Sequence, residues 1–283
     1  MEAAFYEQAP SGVKCRLCPW ECLIPEGALG RCGVRRSKNG KLIAESYGMI
    51  TSAAIDPIEK KPLNHFHPGS FILSIGLYGC NFHCPFCQNY QISMRKPESS
   101  FISPEDLTAL AVKYAQDSNN LGVAYTYNEP LIAYEYVRDC ARLIRAEGLK
   151  NVAVTNGCIN EQPFKMILPY IDAFNIDLKG GEAFYKDKLG GDLNTVKRNI
   201  QAAAEKCHVE VTTLVIPGEN DSNEEIEETA KFLYEIDPDI PLHLSRFIPH
   251  YKFSHKQPTE KETMYRLRGA AAKYLKNIYL GNC

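Results

Sequence analysis

The segment Cys80-Asn81-Phe82-His83-Cys84-Pro85-Phe86-Cys87 constrains this chain more than any other, because three thiols at C-x3-C-x2-C spacing follow an apolar run. Thiols this close on a loop converge on one metal centre, and their softness selects iron–sulfur or zinc over hard cations. Four-iron clusters ordinarily take four cysteines. The local set stops at three, so the spacing predicts a [4Fe-4S] cluster on Cys80, Cys84 and Cys87 with one iron open to a non-protein ligand. The alternative is a zinc knuckle completed by His83 or a distant side chain. Against it, zinc usually takes its ligands as two pairs, and His83 sits too near its neighbours to complete a tetrahedron easily.

A second cysteine group lies upstream. Cys15, Cys18, Cys22 and Cys32 follow C-x2-C-x3-C-x9-C spacing, with Gly27, Gly30 and Gly33 interleaved. So short a piece buries too little apolar surface to hold itself together, so a metal-stapled lobe is expected. Zinc and an auxiliary iron–sulfur cluster both use four thiolates, and spacing leaves the two open. Eleven cysteines without a secretory signal fit metal ligation in a reducing compartment better than disulfides. The N-terminus lacks the basic start of a signal peptide and no apolar run approaches a membrane span, so a cytoplasmic protein with no membrane contact is expected. A formal net charge of −2 argues against bulk electrostatic binding of nucleic acid.

With 283 residues and 45% hydrophobic content the chain can fill one large α/β core with a small appendage. Residues 1–45 read as the cysteine-rich lobe, 46–70 as a connector, and 71–283 as the main domain. Within the connector, prolines bias Asp56-Pro57-Ile58-Glu59-Lys60-Lys61-Pro62 toward extended backbone. A strand over about 71–78 spans roughly 25 Å at ~3.3 Å per residue. That length puts His65 and His67 at the end away from the cysteine loop, in packing or surface roles. Strand patterns recur near 122–126, 151–155, 173–178, 209–216 and 241–247. Helical patterns alternate with them near 103–117, 131–147, 162–168, 194–206, 222 onward and 260–276. This rhythm predicts a parallel sheet in an open, partial (β/α)6 barrel of the TIM type.

In such barrels chemistry gathers where strands end. The polar residues at those positions are Thr126-Tyr127-Asn128-Glu129, Thr155-Asn156-Gly157, Asp177-Leu178-Lys179, Pro217 to Asp221, and Ser245-Arg246. Together they suit a zwitterionic sulfonium bearing a ribose: Glu129 for the amino group, Lys179 for a carboxylate, Asp177 for hydroxyls. Of the remaining cysteines, Cys140 and Cys207 read as core residues, Cys158 as a candidate to face the ligand cavity, and Cys283 as the chain end.

The combination of Cys15 to Cys22, Cys32-Gly33-Val34-Arg35, Asp56 to Pro62, Gly79 to Asn89, Thr126 to Pro130, Val154 to Gly157, Asp177 to Lys179 and Ser245 to Phe247 resembles one known group. It is similar to the radical S-adenosylmethionine (SAM) enzymes of the AmmeMemoRadiSam family, relatives of pyruvate formate-lyase activating enzyme. The likeness covers nearly the whole chain. It implies cluster ligation by Cys80, Cys84 and Cys87, with Phe86 against the adenine and Asn128 and Glu129 at the amino-binding turn. It further implies Thr155, with Asn156 beside it, and Lys179 at the SAM carboxylate, Asp177 at the ribose, and Arg246 where relatives carry a histidine. Val154 stands where many activases have an acid.

What the resemblance implies for activity is reductive cleavage of SAM to a 5′-deoxyadenosyl radical that abstracts hydrogen from a substrate. An electron donor such as flavodoxin or ferredoxin is implied as a partner. The substrate is open between a small molecule and a partner protein, the latter as in glycyl-radical activation, and no side chain is assigned to the chemistry on it. The remaining alternative is a non-catalytic iron–sulfur or zinc protein.

Overall fold

A computed structural model describes residues 1–283. The central sheet is built from β1 (Ser52–Pro57), β2 (Phe71–Gly76), β3 (Asn120–Tyr125), β4 (Lys150–Thr155), β5 (Ala173–Asp177), β6 (His208–Val215), β7 (Leu242–Arg246) and β8 (Ile278–Gly281). The strands neighbour one another in chain order. Every pairing from β2 to β8 is parallel; β1 runs antiparallel to β2, Ser52 opposite Gly76. No pairing joins β8 to β1, so the barrel is partial, as the alternating pattern predicts.

Six longer helices connect these strands: α1 (Pro104–Ser118), α2 (Tyr134–Ala146), α3 (Glu161–Ile167), α4 (Leu193–Ala204), α5 (Asn223–Ile236) and α6 (Lys261–Ala271). Their starts follow local chemistry. Ser103 Oγ accepts the Asp106 amide at 3.0 Å with Pro104 in the first helical position, and Ser222 Oγ accepts the Glu225 amide at 3.2 Å. None of the helices is long and apolar enough to cross a membrane.

Both ends of the sheet carry a strand that the alternating pattern does not predict. β1 falls in the stretch 46–70 expected as a connector, and β8 in the expected C-terminal tail. The chain after β1 turns through Ile58–Lys60 and enters the barrel, where Ile58 and Leu63 pack with Ile72, Ala124, Val152 and Ala173 in a small apolar cluster. It is the floor of the barrel rather than an external linker. The Asn175 side-chain amide donates to the Pro62 carbonyl at 2.8 Å. The Glu210 carboxylate accepts the backbone amides of Asn64 and His65 at 3.0 and 2.7 Å, and hydrogen bonds from His208 and His243 at 2.9 and 2.6 Å. The His65 ring then reaches the Tyr279 hydroxyl on β8, bridging one edge of the sheet to the other. His65 and His67 thus lie at the strand starts, away from the cysteine loop.

The N-terminal lobe is a three-stranded antiparallel piece (Tyr6–Ala9, Gly12–Cys15, Leu23–Ile24) and a hairpin (Arg35–Lys38, Lys41–Ala44). Its Val13, Leu17, Ile24, Val34 and Leu42 belong to the same continuous core as the barrel. A buried ion pair fastens the two. Arg35 Nη2 donates to both Glu135 oxygens at 2.9 Å, its Nε to the Ile132 carbonyl, and the Ala4 amide to Glu135 at 2.7 Å. Removing one partner of such a pair leaves an uncompensated charge, which generally costs about 3–5 kcal/mol.

Burial pushes the Glu210 carboxyl up, but its four hydrogen bonds outweigh that and hold it down at about 2. Since its unfolded value is near 4.5, its contribution to stability is complete above that pH and is lost as pH falls toward 2. Glu210→Gln is expected to lower the unfolding free energy by about 3 kcal/mol at pH 7. Urea titrations at pH 7 and pH 3 check this, the deficit narrowing at the lower pH.

Candidate active site

A cavity of about 480 Å³ opens at the C-terminal ends of the strands. Cys80, Cys84 and Cys87 line one wall, joined by Phe86 from the same loop. The opposite walls bring Thr126 to Glu129 after β3, Thr155 and Asn156 at β4, Asp177 and Lys179 at β5, Thr212 and Leu214 of β6, and Ser245 of β7. Of the positions expected there, Arg246, Cys158 and the turn Pro217 to Asp221 are not among the lining residues. Arg246 Nε donates to the Thr259 carbonyl at 2.6 Å, and Ser245 faces the cavity in its place. Alternation along a strand explains the Arg246 correction, since a shift of one residue exchanges faces.

Cys80, Cys84 and Cys87 form no disulfide. Burial pushes the Cys84 thiol up to about 12 and raises Cys80 and Cys87 as well, so these are proton-bearing thiols that a soft metal would displace. No three or more His, Cys, Asp or Glu side chains stand close enough to share a single ion. His83 is exposed and lines a different cavity, so it does not complete a shell around the trio.

Glu129 is the pivot of the site. It is 1% exposed and has no cationic partner. Its Oε1 accepts Thr155 Oγ1 at 2.7 Å and the Leu131 amide at 2.9 Å, and its Oε2 accepts the Asn156 amide at 2.7 Å. Burial dominates these bonds and lifts the carboxyl to about 7. Asn156 Nδ2 donates to Asn81 Oδ1 at 2.8 Å and lies 3.7 Å from Cys80 Sγ, tying the β4 end to the cysteine loop. Lys179 ion-pairs with Asp177 at 2.8 Å. Burial would depress its ammonium, but Asp177 holds it well up. A π-helical turn over Tyr185–Leu189 supports this pair, the Tyr185 hydroxyl accepting the Lys179 amide and donating to the Asp177 carbonyl. Phe86 stacks at 5.9 Å on Phe184.

Asn128 lines the cavity, but its side chain is engaged by backbone. Its Oδ1 accepts the Leu77 amide and its Nδ2 donates to the Gly79 carbonyl, clamping the start of the cysteine loop. Tyr127 adopts φ +71°, an outlier for so bulky a residue. Three neighbours hold it: Asn89 Nδ2 donates to its carbonyl at 2.7 Å, its hydroxyl donates to Asp56 at 2.9 Å, and its ring lies on Gly76. Lys61, 3% exposed, pairs with the same Asp56 at 2.8 Å and also lines the cavity. Sequence reasoning assigned no role to Asp56, Lys61, Asn81 or Asn89. The motifs containing them were visible, but nothing local says that a segment 70 residues before Tyr127 returns to brace it. Cys158 is buried and lies 3.9 Å from the Asp192 carbonyl, outside the cavity lining.

The four N-terminal cysteines, Cys15, Cys18, Cys22 and Cys32, are likewise free and surround one narrow crevice of about 10 Å³. That is room for about one water-sized sphere.

The family model described as the radical SAM superfamily matches residues 74–233. An uncharacterized protein of Methanocaldococcus jannaschii is 41% identical over 99% of this chain and 85% of its own length. Pyruvate formate-lyase 1-activating enzyme of Escherichia coli is 24% identical over 69% of this chain and 86% of its own length. Among solved structures, Streptococcus suis SuiB bound to S-adenosylmethionine superposes with a TM-score of 0.56 at 17% identity, over 73% of this chain and 48% of that one, a likeness of fold.

A Cβ on Gly76 would stand 2.8 Å from the Tyr127 ring. Gly76→Ala is therefore expected to displace that ring from Asp56 and lower stability by about 1–3 kcal/mol, read as a fall in the urea midpoint with unchanged slope.

Proposed function

The chain belongs to the radical SAM superfamily, and from that premise we propose that it cleaves S-adenosylmethionine reductively at a [4Fe-4S] cluster held by Cys80, Cys84 and Cys87. One observation carries the assignment. Three free thiols and an uncompensated buried carboxylate, Glu129, share a single cavity. When bound, cluster and SAM supply one-electron cleavage of the sulfonium and the 5′-deoxyadenosyl radical that takes hydrogen from the substrate. The protein's part is to bind, orient and exclude water.

Glu129 accepts a hydrogen bond from the SAM amino group, for which it must be ionised, and its fixed donors Thr155 and Asn156 hold it in place. Lys179, its charge balanced by Asp177, would meet the SAM carboxylate, and Asp177 would take a ribose hydroxyl. Phe86, backed by Phe184, borders the adenine. Asn128 acts at one remove, fixing the cysteine loop through Leu77 and Gly79. Arg246 is withdrawn as a cofactor contact. The floor segment and the bridged sheet edges support a substrate that enters at the strand-end rim. Its identity stays between a small molecule and a protein segment such as the activating-enzyme relatives' names suggest. For Cys15, Cys18, Cys22 and Cys32 we propose a bound soft metal, zinc or an auxiliary cluster, which staples the lobe.

Anaerobically reconstituted wild type is expected to form 5′-deoxyadenosine from SAM with dithionite, and the variant with Cys80, Cys84 and Cys87 all changed to Ala to form none. Equal yields sink the assignment. Metal analysis of the same preparations should show the triple variant retaining whatever metal the N-terminal thiols hold.

With Glu129 near 7, its carboxylate fraction rises as pH increases through that value. SAM affinity is expected to tighten roughly tenfold between pH 6 and pH 8. Equilibrium dialysis measures this, and Glu129→Gln should bind more weakly with the pH dependence flattened.

A further inference from the structure

A second cavity, of about 410 Å³, meets the cysteine loop through different residues. Gly79 and His83 line it, whereas Cys80, Cys84 and Cys87 line the first. Ser93 belongs to both walls, so the groove adjoins the cavity that the proposed cluster ligands line.

The charge of the groove is one-sided. Arg31, Arg95, Lys96 and Lys252 line it together with His83, and no carboxylate does. This happens in a chain whose formal net charge is −2, with 32 basic and 34 acidic residues. Arg95, Lys96 and Lys252 are exposed and have no ion-pair partner, although nearby Lys256 is paired with Glu219 at 2.8 Å. Aromatic rings order two of these cations. Tyr90 and Tyr251 stack at 4.6 Å, with Arg95 over the first and Lys252 over the second. Clustering like charges without partners is unfavourable in isolation, so a complementary surface would relieve it. A small anion is better served by buried, converging donors; exposed cations spread around a rim suit a broad acidic face.

We propose that this groove docks the acidic face of a one-electron donor protein, which reduces the cluster from behind the cysteine loop. The inference rests on the radical SAM reading above and adds where the electron enters. Electrostatic docking of this kind acts mainly on association rate and weakens with salt.

The test follows bleaching of the reconstituted cluster's absorbance by a purified, prereduced acidic flavodoxin, in wild type and in the variant Arg95→Glu, Lys96→Glu, Lys252→Glu. Wild-type reduction should slow as salt rises. The variant should be reduced about tenfold or more slowly at low salt, with little salt dependence, while dithionite bleaches both alike. An unchanged flavodoxin rate overturns the proposal. So does tight binding of inorganic phosphate that the variant loses while its flavodoxin rate stays the same, since the groove would then be a small-anion site. If the triple Glu variant fails to hold a cluster, the triple Gln variant is read by the same criterion, its rate falling between the two. Failure of wild type to form 5′-deoxyadenosine with dithionite would instead strike the radical SAM reading, and bleaching by flavodoxin would still decide the docking site.

Discussion

A carboxylate held in a dry cavity without a counter-charge is the constraint around which the site is arranged. Glu129 could relieve its desolvation by protonating or by meeting a cation. The fold supplies no cation, only three fixed donors from Leu131, Thr155 and Asn156, so burial lifts the carboxyl to about 7. Thr155 and Asn156 come from the end of β4, and Leu131 from the turn Pro130–Ala133 that follows the adjacent strand β3. Asn156 passes the same constraint to Asn81 and the neighbourhood of Cys80. The carboxylate proposed for a ligand's amino group and the thiols proposed for the cluster are therefore linked by one connected set of hydrogen bonds.

Beneath that set the barrel is closed by its own connecting chain. An open sheet of parallel strands leaves an apolar interior that must be filled from somewhere. Here Ile58 and Leu63 fill it, and Glu210 anchors the backbone behind them. The same segment sends Asp56 and Lys61 upward to brace Tyr127 beside the cavity. The strained φ of Tyr127 sits where a binding turn must take one shape, and it persists because floor, strand and loop each hold one part of the residue.

The six parallel strands and their helices were legible in the sequence because period and capping chemistry agreed, as at Ser103-Pro104 and Ser222. The cavity-lining set was legible for the related reason that polar residues at successive strand ends share a rim. Three things were not. β1 and β8 are edge strands paired on one side, and Ser52-Ala53-Ala54 and the brief Ile278–Gly281 carry little hydrophobic signal. Arg246 lies outside the lining because parity at a strand end turns on a single residue, and Ser245 takes the inward face. Asn128 lines the cavity, yet its amide serves the backbone of Leu77 and Gly79, a long-range pairing that no local pattern records. The N-terminal lobe shows a parallel limit. Its cysteine spacing is plain in the sequence, while its attachment through Arg35 to Glu135 joins residues 100 apart in the chain.

The cysteine loop is the thin wall of this molecule. Its thiols and Phe86 face the polar cavity, whereas Gly79 and His83 face the cation-lined groove, with Ser93 between the two. Radical chemistry makes opposite demands on its surroundings: the reacting centre must be closed to water and stray reductant, yet an electron must reach it from outside. A wall one loop thick meets both demands if substrate and electron approach from different sides. The charge distribution is consistent with that division. The cations that line the cavity are paired, Lys179 with Asp177 and Lys61 with Asp56, which leaves Glu129 as its uncompensated charge. The groove outside the loop instead gathers Arg31, Arg95, Lys96 and Lys252 with no carboxylate among its lining, so a bulky partner docked there would stay outside the reaction space.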